Sequence, residues 1–157
     1  MSAPPFSILP EDPDSPAATG SLRAYFALLA ERIAGVDAAH VPIPDPEAYA
    51  YRPPQGIFLL ARAGDTVLGC VSLKTVDTGL GEVKRLWVAP AARGRGLGRH
   101  LMAEVETFAR SIGKTHLRLD TNSALTEAIA LYRKTGWEPT APFTRAFPAT
   151  DWFLKRL

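Results

Sequence analysis

Apolar residues recur along the chain with two kinds of spacing, and each kind predicts one type of element. Helical spacing indicates amphipathic helices over residues 15–35, 97–112 and 126–135. Short apolar or alternating runs bounded by turn residues predict strands at 6–9, 57–62, 67–75, 82–88, 116–121, 137–139 and 152–156. This mixture of strands and helices, without an internal repeat, favours one α/β (α+β) domain over residues 1–157.

Two segments rich in proline interrupt the pattern. Residues 1–14 contain four prolines around a short apolar run, which leaves open an edge strand or a flexible N-terminal segment. Residues 36–56 contain five prolines. Because proline lacks a backbone N–H and has a fixed φ, this second segment is predicted to be an ordered but irregular loop.

The most specific motif lies where the strand at 82–88 leads into the helix at 97–112. Small glycines allow backbone N–H groups to converge on one anion, and the helix N-terminus adds a partial positive charge. Arginines add charge-assisted hydrogen-bond donors. The pattern predicts a phosphate-binding loop that contains Arg93, Gly94, Arg95, Gly96, Gly98 and Arg99.

Two common phosphate-binding loops do not fit this spacing. A Walker A loop needs Lys-Ser or Lys-Thr after its last glycine, where the chain has Arg99 and His100. A dinucleotide fingerprint needs its third glycine three residues after the second, whereas Gly98 follows Gly96 by two. The spacing that remains is Arg-x-x-Gly-x-Gly, from Arg93 to Gly98.

That spacing, after a strand ending in Val88-Ala89-Pro90, resembles the acyl-CoA pyrophosphate loop of the GCN5-related N-acetyltransferase superfamily. A second signature of the superfamily, Ala-x-x-Leu-Tyr-x-x-x-Gly-Trp, appears at 128–137. The resemblance covers roughly residues 57–157. It implies the GNAT fold, a mixed and mostly antiparallel splayed sheet of six to seven strands flanked by about four helices.

The resemblance also implies a reaction, in which an amine attacks acetyl-CoA directly in a ternary complex. It assigns Glu82 to the amine, either as a base or as a binding group, and Tyr132 to protonation of the departing thiolate. The Val88 N–H is expected to stabilise the oxyanion. Cofactor contacts are implied for Leu86, Trp87, Val88, Arg93, Gly94, Arg95, Gly96, Leu97, Gly98 and Arg99.

Several positions leave alternatives open. Many family members have Asn seven residues before the helix tyrosine, where this chain has Leu125. Asn122 either replaces that contact with the pantetheine or caps a turn. Arg133 either binds the 3′-phosphate of the nucleotide or is a solvated helix end. Regular pleating would place Glu82 on one face with Lys84, Leu86 and Val88, and the bulge typical of the family would change that.

The acceptor is not read from the motifs. A small amine is favoured because the proline-rich residues 41–54 are expected to form a lid over it. A protein or peptide acceptor, and an acyl-CoA-binding module without turnover, are the alternatives. A closing strand with Trp152 and Phe153 exposed at a sheet edge would permit a homodimer.

Composition limits the remaining classes. The net charge of +2 provides no general nucleic-acid-binding surface. The single cysteine, Cys70, forms no internal disulfide, and no apolar stretch is long enough to span a bilayer, so a soluble cytoplasmic protein is expected. His100 and His116 have no third ligand type nearby in the sequence, which argues against a metal site.

Overall fold

The computed structural model describes residues 6–38 and 42–157. The regular elements follow one another in the predicted order. The strands are β1 (Ser7–Pro10), β2 (Ile57–Ala63), β3 (Thr66–Thr75), β4 (Leu80–Val88), β5 (His116–Thr121), β6 (Glu138–Pro139) and β7 (Asp151–Arg156). The helices are α1 (Pro16–Arg32), α2 (Leu97–Ser111) and α3 (Thr126–Lys134).

All seven strands form one sheet in the order β1-β2-β3-β4-β5-β7-β6. Every neighbouring pair is antiparallel except β4 and β5, which are parallel. This confirms the predicted mixed, mostly antiparallel sheet, and the N-terminal segment supplies the edge strand β1. The described residues contain three α-helices rather than about four, and the proline-rich segment forms only a short 3-10 helix at Ala48–Tyr51, in keeping with the predicted irregular loop.

The two faces of the sheet are covered by different helices. On one face, the apolar stripe of α2 packs against β-strand residues, including Leu101 and Val105 with Leu117 and Leu119. On the other face, Leu22 of α1 packs against Phe58 and other strand residues. Helix α1 begins as predicted, since the Ser15 side chain accepts a hydrogen bond from the Ala18 N–H at 3.1 Å.

The closing strand β7 is not an open edge. It lies between β5 and β6, and Phe153 is only 1% exposed within the α2-side core. The expectation of an exposed edge that carries Trp152 and Phe153 is therefore wrong, because β6 pairs with β7 at Leu154 and Phe153. The argument for a homodimer through that edge falls with it.

Strands β4 and β5 separate soon after they begin. Their pairing consists of Leu80–Glu82 with His116–Arg118, and β4 then continues to Val88 without a β5 partner. The sheet opens between them in the manner that the resemblance implied. One backbone edge of β4 from residue 83 onward is therefore available to another molecule.

A β-bulge interrupts β4 within the opening. The register with β3 passes from the Ser72–Lys84 pair to the Cys70–Trp87 pair, so one extra residue is accommodated in β4. That residue is Arg85, whose φ of +63° lies in the left-handed region that costs a residue with a side chain about 1–2 kcal/mol.

The bulge changes which residues share a face. Trp87 packs in the α1-side cluster, while Leu86 and Val88 pack against the α2-side core. Regular pleating would have kept Glu82, Lys84, Leu86 and Val88 on one face of the sheet. The alternation is regular only as far as Lys84. The alternative, a bulge that alters the alternation, is the observed one.

The Arg85 side chain ties the bulge to the proline-rich loop. Its Nε and Nη2 donate hydrogen bonds to Asp45 Oδ2 at 3.1 and 2.9 Å. Its guanidinium carbon lies 5.2 Å from the Phe26 ring centroid and 6.0 Å from that of Tyr51. A buried ion pair between two aromatic rings therefore holds a backbone conformation that Arg85 would otherwise avoid.

We expect Asp45→Asn to lower the free energy of unfolding by about 3 kcal/mol, because it leaves the Arg85 charge buried without its closest carboxylate. Urea denaturation measures the change. The matched control is Glu11→Gln, which removes the partner of Arg62 near the sheet edge and should cost less than about 1 kcal/mol. Equal losses in the two variants would show that the Arg85 pair has no special structural role.

Candidate active site

The glycine- and arginine-rich loop has the backbone that its sequence predicts. Gly94 and Gly96 have φ values of +79° and +77°, in the left-handed region that favours glycine, and Gly96 is the N-cap of α2. Gly98 has a different reason, since a Cβ there would lie 3.2 Å from Leu131 Cδ2 of α3. The loop thus places the N-terminus of α2 close to both β4 and α3.

A cavity of about 260 Å³ extends from this loop along β4. The structure brings together most of the predicted cofactor residues around it. Those that line it are Leu86, Trp87, Val88, Arg93, Gly94, Gly96, Leu97, Gly98 and Arg99. Arg95 and Arg133 are exposed and lie outside this lining, so their contacts with a cofactor stay predictions.

The backbone of β4 presents a hydrogen-bond donor to the opening. The Ala89 N–H donates to Leu68 O, on the β3 side, at 2.8 Å. Successive N–H groups of an extended chain point to opposite edges, so the Val88 N–H points away from β3 and toward the opening.

A second cavity, of about 500 Å³, lies in the opening between β4 and β5. It shares Tyr25, Leu86, Leu125 and Ala128 with the first cavity, so the two adjoin. Its walls contain both residues for which the sequence predicted a chemical role, Glu82 and Tyr132.

Glu82 is held by two cations. Its side chain is 6% exposed, and its Oε1 accepts a hydrogen bond from Arg118 Nε at 2.8 Å. Its Oε2 lies 3.4 Å from Lys84 Nζ. Both carboxylate oxygens therefore have a positively charged partner, which fixes the side chain in the wall of the cavity.

Asp120 is a second carboxyl group in the same cavity, and the sequence reasoning missed it. Burial raises its pKa above the usual aspartate value and the nearby Glu82 adds to the rise, while Lys84, Arg118 and Lys74 oppose it. The available signal was strand alternation, because Asp120 follows Arg118 by two residues on β5 and so shares its face.

Tyr132 is buried on α3 among aromatic side chains. Its ring centroid lies 5.7 Å from that of Phe153 and 6.0 Å from that of Trp137. Burial is the main cause of the raised pKa of Tyr132. Negative charge on Tyr25 or Asp120 adds to the rise. The phenol therefore keeps its proton at neutral pH and can act as a donor.

Asn122 has a structural task in this fold. Its Nδ2 donates to Pro148 O at 2.7 Å, and its Oδ1 accepts from the Ala124 N–H at 2.8 Å. It lines the second cavity and not the first. The structure thus gives Asn122 the turn-capping role that was one of its two alternatives, and its contact with a cofactor stays a prediction.

The cover of the second cavity comes from the connection between β6 and β7. That connection contributes Phe143, Thr144, Ala146, Phe147, Pro148 and Ala149 to the lining. The prediction that residues 41–54 form the lid is wrong for its described part, 42–54, because none of these residues lines the second cavity and Asp45 and Tyr51 pack against Arg85. Val41 and the neighbouring His40, a candidate contact for the acceptor, lie outside the described residues.

Among residues 6–38 and 42–157, no group of three or more His, Cys, Asp and Glu side chains is placed to hold a metal ion. None of the helices formed by these residues has the length and apolar character needed to cross a membrane.

Curated relatives align with part of the chain. It is 46% identical over 88 residues to the IAA acetyltransferase of Azospirillum brasilense. That alignment covers 55% of this chain and 57% of that protein. It is 34% identical over 88 residues to the N-alpha-acetyltransferase RimI of Mycobacterium tuberculosis, which covers 54% of each. The chain thus spans a little over half the length of these relatives.

Solved structures resemble the chain over its whole length. The PaiA N-acetyltransferase of Thermoplasma acidophilum, crystallised with coenzyme A, superposes with a TM-score of 0.77 over 100% of both chains at 18% identity. At that identity the likeness shows the fold. The family model of the acetyltransferase (GNAT) family matches residues 22–137. This range includes the glycine- and arginine-rich loop, Glu82, Asp120 and Tyr132. The chain therefore belongs to the acetyltransferase (GNAT) family.

Proposed function

We propose that this protein is an acetyl-CoA-dependent N-acetyltransferase that acts on the primary amine of a small molecule. The observation that carries the proposal is the junction of the two cavities. One begins at the glycine- and arginine-rich loop, and the other contains Glu82, Asp120 and Tyr132. The named activities of the curated relatives support the same reaction class.

The first cavity suits the shape and charge of coenzyme A. Arg93 and Arg99 line it at the loop, and a Cβ at Gly94 would meet nothing within 4 Å, so the space over the loop is open. Arginine and helix N-terminal N–H groups are strong ligands for a diphosphate. The unpaired edge of β4 next to it can hydrogen-bond the amides of a pantetheine arm.

When bound, acetyl-CoA supplies a thioester whose acetyl group an uncharged amine can accept. A primary amine with a pKa of about 10.4 is protonated about a thousandfold over its free form at neutral pH, so a proton must be removed first. Asp120 is the favoured acceptor of that proton because of its raised pKa. Glu82, held by Arg118 and Lys84, orients the amine or takes the proton as the resemblance implies.

The remaining steps use two further groups of the site. The Val88 N–H is available to donate a hydrogen bond to the acetyl oxygen. Tyr132, which stays protonated, supplies a proton to the departing sulfur. The presence of a proton acceptor and a proton donor in one cavity supports turnover over simple acyl-CoA binding, and the aromatic cover of Phe143 and Phe147 supports a small acceptor.

Tyr132→Phe should lower kcat about 100-fold while acetyl-CoA binds with unchanged affinity, because only the proton donor is lost. Release of free thiol measures turnover, and titration calorimetry measures binding. The matched control is Tyr49→Phe, since Tyr49 is 78% exposed and outside both cavities. Wild-type turnover in Tyr132→Phe would remove the donor role.

The pH profiles of two variants distinguish the roles of the carboxyl groups of Asp120 and Glu82. We expect kcat/KM of the wild type to fall on the acid side as Asp120 gains a proton, at a pH above the usual aspartate pKa. Asp120→Asn should lower kcat/KM about 100-fold and abolish that acid limb, whereas Glu82→Gln should lower the rate and keep it. The reverse pattern would make Glu82 the base.

Gly94→Ala tests the loop. It adds a methyl group at a residue with positive φ where the phosphates are expected to approach, so the Kd for acetyl-CoA should rise about tenfold through loss of a backbone hydrogen bond to charge. Gly64→Ala is the matched control, with a φ of +57° and equally open surroundings in the β2–β3 turn. It should cost similar stability and leave acetyl-CoA affinity unchanged. Equal affinities in the two variants would place the diphosphate elsewhere.

A further inference from the structure

Four charged side chains face the second cavity from the two strands that separate. Glu82 and Lys84 come from β4, and Arg118 and Asp120 come from β5. Glu82 and Arg118 are register partners, and Lys84 and Asp120 follow them by two residues on the same face. Two positive and two negative groups therefore surround the point where the sheet opens.

Arg118 has unused hydrogen-bonding capacity at this point. Its Nε donates to Glu82, and no residue in the described part of the chain accepts a hydrogen bond from its two terminal nitrogens. Its side chain is 26% exposed, and its guanidinium carbon lies 4.2 Å from the Phe143 ring centroid. The aromatic ring thus fixes the plane of a guanidinium whose outer fork is available to a ligand.

Lys84 adds a second available donor. Its Nζ lies 3.4 Å from Glu82 Oε2, a long contact, and its side chain is 22% exposed. The other two cations that line the cavity form ion pairs with carboxylates outside it. Lys74 pairs with Glu47 at 3.0 Å, and Arg85 pairs with Asp45. The cationic donors that can serve a ligand in this cavity are therefore concentrated on Arg118 and Lys84.

We propose that the acceptor is an amine that also carries a carboxylate close to its nitrogen, which is the chemistry of a free amino acid. The carboxylate binds the outer fork of Arg118 with help from Lys84, and the amine lies at Asp120. This inference rests on the proposed acetyltransferase function and specifies its substrate class.

The geometry supports a short distance between the two ends of that acceptor. Arg118 and Asp120 are two residues apart on one strand, so their Cα atoms are about 7 Å apart and their side chains can hold one small molecule. A free amino acid is a zwitterion with one charge of each sign. Each of the two strands likewise presents one positive and one negative side chain to the cavity. A peptide N-terminus lacks the adjacent carboxylate and would leave the Arg118 fork without a partner.

The test compares the common amino acids with their primary amides as acceptors. The amide keeps the side chain and removes the negative charge, and because this also lowers the pKa of the amine, both kcat/KM values are expressed per concentration of unprotonated amine. We expect the wild-type kcat/KM to be about 30-fold or more higher for the acid than for the amide, the range of a charge-assisted hydrogen bond. Thiol release, with mass spectrometry of the product, provides the measurement.

Arg118→Gln should reduce this acid-to-amide ratio to near one, and Arg118→Lys should restore part of it. A purely structural role, in which Arg118 only holds Glu82, would lower both rates equally and keep the ratio. Lys84→Gln provides a second variant should Arg118→Gln fold poorly, and Arg62→Gln, remote on β2, should leave the ratio at its wild-type value.

The outcomes separate this inference from the proposed function. Acetylation of amides or simple amines as fast as of the acids overturns the carboxylate site and leaves the acetyltransferase intact. An unchanged acid-to-amide ratio in both Arg118→Gln and Lys84→Gln also overturns it. Tight binding of acetyl-CoA without transfer to any tested amine overturns the proposed function and this inference with it.

Discussion

The separation of β4 from β5 is the constraint on which the site depends. It creates the second cavity and frees one edge of β4, the strand that leads directly into the glycine-rich loop. The bulge at Arg85 lies within it, and the buried pair with Asp45 keeps that residue in a left-handed conformation. The proline-rich loop that contains Asp45 lines neither cavity, and it nevertheless sets the direction of the β4 side chains that do.

The charged residues differ between the two cavities. The first has arginines and the N-terminus of α2 at the glycine-rich loop, the arrangement on which the proposed diphosphate site rests. The second has carboxyl groups and cations in alternation on β4 and β5, and Tyr132 of α3 also lines it. The raised pKa values of Asp120 and Tyr132 have a common cause, since burial disfavours the charged form of both groups. The proposed proton acceptor and the proposed proton donor therefore share one enclosed environment.

Local patterns predicted most of the fold and the loop. The helices and strands were recovered within a few residues, because apolar spacing, the Ser15 cap and the terminating glycines act over short distances. The patterns failed where partners come from distant parts of the chain. The lid prediction for residues 41–54 fails because proline content indicates only that a segment is irregular, and not which surface it covers. Asp120 escapes local prediction because its raised pKa comes mainly from burial, which requires packing between distant parts of the chain.

The sequence by itself determined the family, the sheet class and the backbone of the glycine- and arginine-rich loop, since the spacing of glycines, arginines and Tyr132 encodes local backbone geometry and helix faces. The tertiary structure alone decided the face on which Leu86, Trp87 and Val88 lie, because one extra residue in a strand reverses the alternation beyond it. It alone also placed Arg118 on Phe143, beside Glu82. Such contacts join residues far apart in the chain, and no local spacing specifies them.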